Sequence, residues 1–199
     1  MEDVYKTIEF PAEGQYKEKG SRFIALAYPV RQEEEIRTIV AAIKEKYYDA
    51  RHHCYAWRLG ADKKLFRAND DGEPSSTAGK PILGQIQSHD LTDILIVVVR
   101  YFGGIKLGVS GLINAYREAT ADALQNAVMV EKTVNEVLRV RFNYPVMNDV
   151  MRIVKETNPE ILERQFELEC EMLLSIRQKE MPLLRSRLQK VESVYFPDE

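Results

Sequence analysis

The fold of this 199-residue chain is decided by one stretch, Ile94-Leu-Ile-Val-Val-Val-Arg-Tyr-Phe-Gly-Gly-Ile-Lys-Leu-Gly-Val-Ser-Gly111. Its first half is a continuous apolar run with no polar face to give to solvent, so it predicts a core strand over residues 93–102. Its second half is a glycine-rich turn, residues 100–111, that leads into a helix. We therefore expect a buried strand joined to a helix by the turn that carries the function.

The segments around this stretch alternate between strand and helix patterns. Apolar residues at period two between glycine and proline turns predict strands, the first of them broken at residues 11–14. Apolar residues at helical spacing predict helices, and an alanine-rich helix follows the glycine turn. The other strands predicted before residue 130 lie at residues 7–10, 16–19, 22–28, 51–60 and 65–68. The predicted helices lie at residues 33–48, 80–88 and 111–128.

A second domain is expected to begin near residue 131, where a fresh alternating strand starts. The order predicted there is strand 134–142, helix 145–156, a hairpin of strands 160–166 and 169–176, and helix 179–191. This order is close to a ferredoxin-like fold. We therefore predict an α+β chain with domains at residues 1–130 and 131–199.

Arg139 and Arg141 share a strand face that can touch phosphates, but an acidic hairpin favours salt bridges across a solvated sheet.

The composition is that of a globular protein and argues against a secreted, membrane-spanning or strongly basic one. Hydrophobic residues make up 45% and charged residues 30% of the chain, as in globular proteins. The net charge of −3 means that any nucleic-acid binding must be local. No secretory signal or membrane-length apolar run is evident, so we expect a cytoplasmic protein. Two distant cysteines, Cys54 and Cys170, offer neither a disulfide framework nor a zinc site.

The glycine-rich turn suits the backbone of an anion-binding site. Glycines allow positive φ and close approach of the chain, and a helix start presents unpaired N–H groups. Arg100 and Lys106 can add positive charge. The turn is not a Walker loop, because Val109 stands where the lysine should be, and it lacks the Rossmann spacing. The alternative is that the glycines only make a tight turn and pack the helix against the sheet.

A polar loop at residues 69–81 is the second candidate. Asp70, Asp71 and Glu73 have the oxygen ligands that Mg²⁺ prefers, and the hydroxyls of Ser75, Ser76 and Thr77 can contact a ligand or cap the next helix. Ordinary turn chemistry explains the same residues. Both interpretations stay open.

The third candidate is a strand that carries histidines and a cysteine. Period-two alternation places His52 and Cys54 on one face and His53 on the other. A nucleophile pair of His52 with Cys54 is conceivable, but residues two apart on a strand rarely reach hydrogen-bond distance. A buried thiol beside an edge histidine is the simpler interpretation.

Together these motifs carry a family resemblance. Residues 50–57, 71–74 with 77–81, and 98–108 resemble the signature blocks of the IMPACT/YigZ family, in the same order and spacing. The resemblance implies an N-terminal domain similar to the second domain of small-subunit ribosomal protein five. It also implies a C-terminal domain similar to a late domain of elongation factor G. One departure is Ser110, which stands where bacterial relatives commonly have a glycine.

The resemblance further implies a link to translation. Eukaryotic relatives dampen the starvation-activated initiation-factor kinase by engaging its activator. They carry an additional N-terminal RWD domain, for which this chain has no room. For this chain the resemblance points instead to binding of nucleic acid or the ribosome.

We therefore expect a non-catalytic binding protein that needs no metal or cofactor and does not enter a membrane. Its partners would be RNA, the ribosome or a protein of translation control. Two alternatives are a metal-dependent phosphoester or peptide hydrolase, using Asp70, Asp71 and Glu73 with His52 as base, and a pure protein-interaction module. The residues expected to converge on one ligand-binding cleft are His52, Asp71, Glu73, Thr77, Lys80, Arg100, Tyr101, Gly103, Gly104, Lys106, Gly108, Ser110 and Gly111.

Overall fold

A computed structural model of the chain describes residues 3–198 and divides them into two compact units. One unit is Tyr5–Lys132, and the other contains residues 3–4 and 133–198. Residues 1, 2 and 199, the ends of the two expected domains, lie outside the described residues. The described chain forms ten strands and five α-helices, which confirms the predicted mixture of both. None of these helices is long and apolar enough to cross a membrane.

The larger unit is built on a five-stranded antiparallel sheet with the order β2-β3-β6-β4-β5. A separate two-stranded sheet pairs β1 with β7. The strands are β1 (Val4–Ile8), β2 (Ala12–Glu18), β3 (Ser21–Pro29), β4 (His52–Leu59), β5 (Leu65–Asn69), β6 (Ile94–Tyr101) and β7 (Met129–Thr133). The helices are α1 (Glu33–Lys46), α2 (Gly79–Ser88) and α3 (Gly108–Gln125).

Strand β6 is the centre of this sheet, as its apolar run predicts. Every side chain from residue 94 to residue 99 is fully buried, and each such burial stabilises the fold by about 1.5–3 kcal/mol. The odd-numbered side chains Leu95, Val97 and Val99 join the core that includes α1 residues. The even-numbered ones join the core that includes α2 and α3 residues. Layers on both faces of the sheet explain why β6 has no polar side.

Three expectations about local structure are wrong. Gly14, predicted in a break, lies inside β2, where an added Cβ would meet the backbone nitrogen of Ala123 at 2.1 Å. Helix α3 begins at Gly108 rather than at residue 111, and Gly108 has φ +74°, a left-handed conformation that glycine adopts without strain at the entry to the helix. The same helix ends at Gln125, which leaves residues 129–133 to form a strand that the alanine pattern concealed.

The smaller unit follows the predicted order of strand, helix, two strands and helix. Its elements are β8 (Asn135–Asn143), α4 (Met147–Thr157), β9 (Glu160–Phe166), β10 (Glu169–Arg177) and α5 (Met181–Leu188), with a 3₁₀ turn before each helix. Its sheet has the antiparallel order β8-β10-β9. Arg139 and Arg141 both pair with Glu171 on the neighbouring strand. This confirms the salt-bridge interpretation, since both guanidinium groups already have a carboxylate partner.

Candidate functional site

A cleft of about 500 Å³ opens at one end of the five-stranded sheet. It lies where β4 begins, where β6 ends and where α3 begins. A cavity of this size suits one small ligand or one nucleotide. The residues that line it are Arg51, His52, Glu73, Pro74, Arg100, Phe102, Lys106, Leu107, Gly108, Val109 and Leu112.

Strand pairing places three side chains in a row beneath the cleft. Arg100 on β6 lies opposite Phe23 on β3 and opposite His52 on β4. Because side chains alternate along a strand, these residues point to the α2 and α3 side of the sheet. The same alternation sends Tyr101 to the other side, where its hydroxyl donates to Asp49 Oδ1 at 2.8 Å.

The guanidinium of Arg100 contacts a carboxylate and two aromatic rings. Its Nη1 donates to Glu73 Oε1 at 2.6 Å. Its Cζ lies 5.6 Å from the ring centroid of Phe23 and 5.7 Å from that of Phe102, within cation–π range. Its Nε is buried with no hydrogen-bond partner within the described chain. The charge of Arg100 is therefore compensated by Glu73 rather than offered freely to a ligand.

Tyr116 of α3 completes this buried cluster. Its hydroxyl donates to Glu73 Oε1 at 2.7 Å. Burial, followed by the neighbouring Cys54 and Glu73, raises the pKa of Tyr116, which keeps the hydroxyl protonated and able to donate. Glu73 Oε1 thus accepts two hydrogen bonds, and these lock the carboxylate in one orientation.

His52 presents one ring nitrogen to the cleft. Its Nδ1 lies 2.8 Å from the backbone carbonyl oxygen of Asp71. A carbonyl can only accept, so Nδ1 carries a proton, and in the neutral imidazole the lone pair is therefore on Nε2. That Nε2 lies 4.0 Å from Glu73 Oε2.

Phe102 and Val109 of the glycine-rich segment form an apolar lip of the cleft, and Ile105 of the same segment is exposed without lining it. The side chains of Phe102, Ile105 and Val109 are 51%, 55% and 60% exposed. Gly103 packs against the turn between β2 and β3, where its N–H donates to the hydroxyl of Ser21 at 3.1 Å. Helix α3 then begins without a side-chain cap, which leaves N–H groups of its first turn free beside the cleft.

The acidic loop does not converge on a metal centre. The carboxylate of Asp70 accepts backbone N–H bonds from Ser76, Ala78 and Gly79, and so fixes the chain at the start of α2. Glu73 turns into the buried cluster. Across residues 3–198, no group of three or more histidine, cysteine or acidic side chains has the arrangement to hold a metal ion. The hypothesis of a shared Mg²⁺ site at these carboxylates is therefore wrong for this geometry.

Asp71 faces away from the cleft. Its carboxylate accepts the backbone N–H of His53 at 2.7 Å and lies 3.2 Å from Lys44 Nζ. Burial alone would raise the pKa of this carboxyl, but the His53 N–H and the Lys44 ammonium outweigh it and hold the pKa below its ordinary value. The contribution of Asp71 to the cleft is its backbone carbonyl oxygen, which orients the ring of His52.

Cys54 is not paired with His52. Its Sγ lies 3.0 Å from the carbonyl oxygen of Asp70 and 3.4 Å from the hydroxyl of Tyr116. Burial raises the pKa of the thiol well above its usual range. A thiol that stays protonated is a poor nucleophile, so the hypothesis of a Cys54–His52 pair is wrong.

Of the residues expected in one cleft, the lining contains His52, Glu73, Arg100, Lys106 and Gly108. The others do not line it: Asp71, Thr77, Lys80, Tyr101, Gly103, Gly104, Ser110 and Gly111. Among these, Thr77 is buried and donates its hydroxyl to the carbonyl of Pro74 at 2.6 Å, and Lys80 is exposed in the first turn of α2.

Sequence reasoning missed the apolar part of the lining and its buried support. Pro74, Phe102, Leu107, Val109 and Leu112 line the cleft. The available signal was the presence of large apolar residues inside a glycine-rich turn, where loops are usually polar. Tyr116 had no such signal, because its position on the α3 stripe is that of an ordinary core residue.

Comparisons with known proteins agree on one family. The Impact N-terminal domain family matches residues 19–124. The chain is 32% identical to the IMPACT family member YvyE of Bacillus subtilis, with 88% of this chain and 81% of that protein covered. It is 35% identical to an IMPACT family member of Haemophilus influenzae, with 88% of this chain and 86% of that protein covered.

A solved structure agrees with these relatives. A crystal structure of a hypothetical protein superimposes with a TM-score of 0.77 at 27% identity. It covers 98% of this chain and 97% of that chain, so the likeness extends through both compact units.

Proposed function

The chain belongs to the IMPACT family, and from this premise we propose that it is a non-catalytic binding protein whose cleft receives single-stranded RNA. The observation that carries the proposal is the combination of exposed cations, an uncapped helix start and an exposed aromatic ring around one cleft. The cations and the helix start match the phosphate of a nucleotide, and the aromatic ring matches its base.

The rim of the cleft supplies the charge for a phosphate. Arg51 and Lys106 are exposed in the lining. Arg100 beneath them is compensated by Glu73, so these two rim residues set the charge that an approaching ligand meets. The start of α3 adds free N–H groups and the positive end of the helix dipole. Local positive charge of this kind can bind a phosphate although the whole chain carries −3.

The lip of the cleft supplies a stacking surface. The ring of Phe102 is half exposed and rests against the guanidinium of Arg100. Aromatic rings beside a basic groove bind single-stranded nucleic acids without strong sequence preference, at about 1–3 kcal/mol for each stacked base. Val109 and Leu107 extend the apolar wall beside the ring.

The link to translation and the detailed fold assignments belong to the same proposal. The resemblance of the signature blocks supports a role in translation control, with ribosomal RNA as one source of the ligand. We assign residues 1–130 to an IMPACT-type domain similar to the second domain of ribosomal protein five. We assign residues 131–199 to a ferredoxin-like domain similar to one of elongation factor G. These likenesses support the assignment of the fold only. The proposed function is argued from the residues of the cleft.

The test is binding of a fluorescent oligouridylate, measured by anisotropy over a series of salt concentrations. We expect Arg51→Ala and Lys106→Ala each to weaken binding and to lower the salt dependence by about one counterion. Lys80→Ala is the matched control, because Lys80 is an exposed lysine of the same unit that does not line the cleft. No binding at low salt, or equal losses in all three variants, would rule the proposal out.

A protein-interaction module is the second candidate, and one observation favours it. Phe102 and Val109 form an exposed apolar lip, Ile105 is exposed in the same glycine-rich segment, and exposed apolar clusters mark interaction surfaces. A purified protein partner whose binding is lost in Ile105→Asp, together with no affinity for RNA, would favour this reading.

A further inference from the structure

We propose that the floor of the cleft selects RNA over DNA, because His52 Nε2 and Glu73 Oε2 together accept a hydrogen bond from a ribose 2′-hydroxyl. This inference rests on the proposed function and names the group that the floor recognises. It follows from the hydrogen-bonding capacity that the described side chains leave unused.

Two acceptors face each other in the cleft without a donor between them. Glu73 Oε1 is occupied by Arg100 and Tyr116, whereas no described residue donates to Glu73 Oε2. His52 Nε2 likewise has no donor or acceptor within hydrogen-bond distance in residues 3–198. The two atoms lie 4.0 Å apart, and the Glu73 side chain is only 3% exposed. An acceptor that is almost withdrawn from water and receives no hydrogen bond from the described residues favours a ligand that donates.

Both acceptors are held in place before any ligand arrives. The carbonyl oxygen of Asp71 fixes the tautomer and the plane of the His52 ring. Arg100 and Tyr116 fix the carboxylate of Glu73 through its other oxygen. The pair therefore needs little reordering to accept a donor, which lowers the entropic cost of binding.

The charges around the pair indicate an uncharged donor. Glu73 is already neutralised by Arg100, at 2.6 Å. Arg51 and Lys106 at the rim would repel a ligand cation. The ligand must therefore carry an anion toward the rim and a neutral donor toward the floor.

A ribonucleotide has both groups close together. The 2′-hydroxyl is on the sugar carbon next to the one that bears the 3′-phosphate, and it can donate a hydrogen bond. Deoxyribose has no such donor, so DNA would leave the two acceptors without a partner. The 2′-hydroxyl is also the group by which proteins in general distinguish RNA from DNA.

The experiment compares oligouridylate with oligodeoxyuridylate of the same length, so that the bases are identical. We expect wild-type protein to bind the ribose form roughly tenfold more tightly, the effect of one hydrogen bond to a buried acceptor pair. His52→Ala should weaken binding of the ribose form much more than binding of the deoxyribose form, and so reduce the preference. His52→Gln, which keeps an acceptor oxygen, should retain part of it. Lys106→Ala should weaken both forms equally.

A 2′-O-methyl oligouridylate tests the same point on unaltered protein, in case a His52 variant fails to fold. Because the methyl group removes the donor, this ligand should bind no better than the deoxyribose form. Equal affinity for all three ligands, with Lys106→Ala weakening each of them, would overturn the inference and leave the proposed function standing. Absence of binding to any of them would overturn the proposed function itself. Equal losses for both sugars in His52→Ala would show that His52 only supports the fold, and would also overturn the inference.

Discussion

Arg100 Nη1 lies 2.6 Å from Glu73 Oε1, and the two side chains are only 8% and 3% exposed. The arginine that the sequence offers as an anion ligand is thus neutralised by a glutamate that the sequence offers as a metal ligand. The pair is 27 residues apart along the chain. It links the acidic loop to the end of β6 and forms the floor of the cleft.

This pair predicts a strongly coupled change in stability. Arg100→Met should lower the free energy of unfolding by about 3–5 kcal/mol, because it leaves the buried carboxylate of Glu73 uncompensated. Glu73→Gln should also destabilise the protein, while the double variant should lose less than the sum of the two. Urea denaturation of the three variants measures the coupling energy. Additive losses would mean that the two charges do not interact in solution.

Gly103 and Gly104 are neighbours in sequence and should respond very differently to alanine. A Cβ on Gly103 would lie 1.9 Å from the carbonyl carbon of Gly20, so backbone must move, and we expect a loss of about 2–4 kcal/mol. Gly104 has φ +89° but open space around it, so Gly104→Ala should cost only about 1–2 kcal/mol of backbone strain. Thermal unfolding of both variants makes the comparison, and equal losses would argue against the close approach at Gly103.

The two thiols should be unreactive in the folded protein. Cys54 and Cys170 are both buried, and burial raises the pKa of Cys54. Iodoacetamide at pH 8 should label neither thiol in native protein and both in guanidinium chloride, as intact mass shows. A Cys54→Ala variant assigns the signal. Rapid native labelling that disappears in this variant would revive the hypothesis of a cysteine nucleophile.

Asp71 should make stability depend on pH in the acid range. Its pKa in the folded state lies below the ordinary value of 3.8, so its contribution is present above that pH and is lost as the pH falls through the lower folded-state pKa. Asp71→Asn should therefore destabilise the protein at pH 7, by no more than about 1 kcal/mol because the carboxylate is partly exposed. The difference from wild type should vanish at the acid end of a urea denaturation series run from pH 7 to pH 2.

The control for this series is Asp62→Asn. Asp62 forms an exposed pair with Lys64 at 4.0 Å, and such pairs contribute little. Its variant should follow the wild type at every pH. A difference between Asp71→Asn and wild type that persists at pH 2 would assign the effect to lost packing rather than to charge.

The sequence alone determined the parts of the fold that depend on local pattern. The apolar run of β6, the helical spacing of α1 and the hairpin of β9 and β10 each express a period that a short window reveals. The family signature is local in the same sense, because each of its blocks is a short continuous run of residues. The start of α3 and the strand β7 were missed because glycine and alanine fit more than one backbone state.

Only the tertiary structure decided what the polar residues do. Hydrogen-bond partners depend on distances between segments far apart in sequence, so the sequence could not show that Glu73 meets Arg100 and Tyr116 or that Asp71 meets Lys44. Strand alternation predicts that Arg100 and Tyr101 point to opposite faces of the sheet. Only the packing of α2 and α3 defines which of the two faces holds the cleft. The sequence therefore determined which motifs are recognisable. Packing determined which of their side chains keep unused hydrogen-bond donors or acceptors for a ligand.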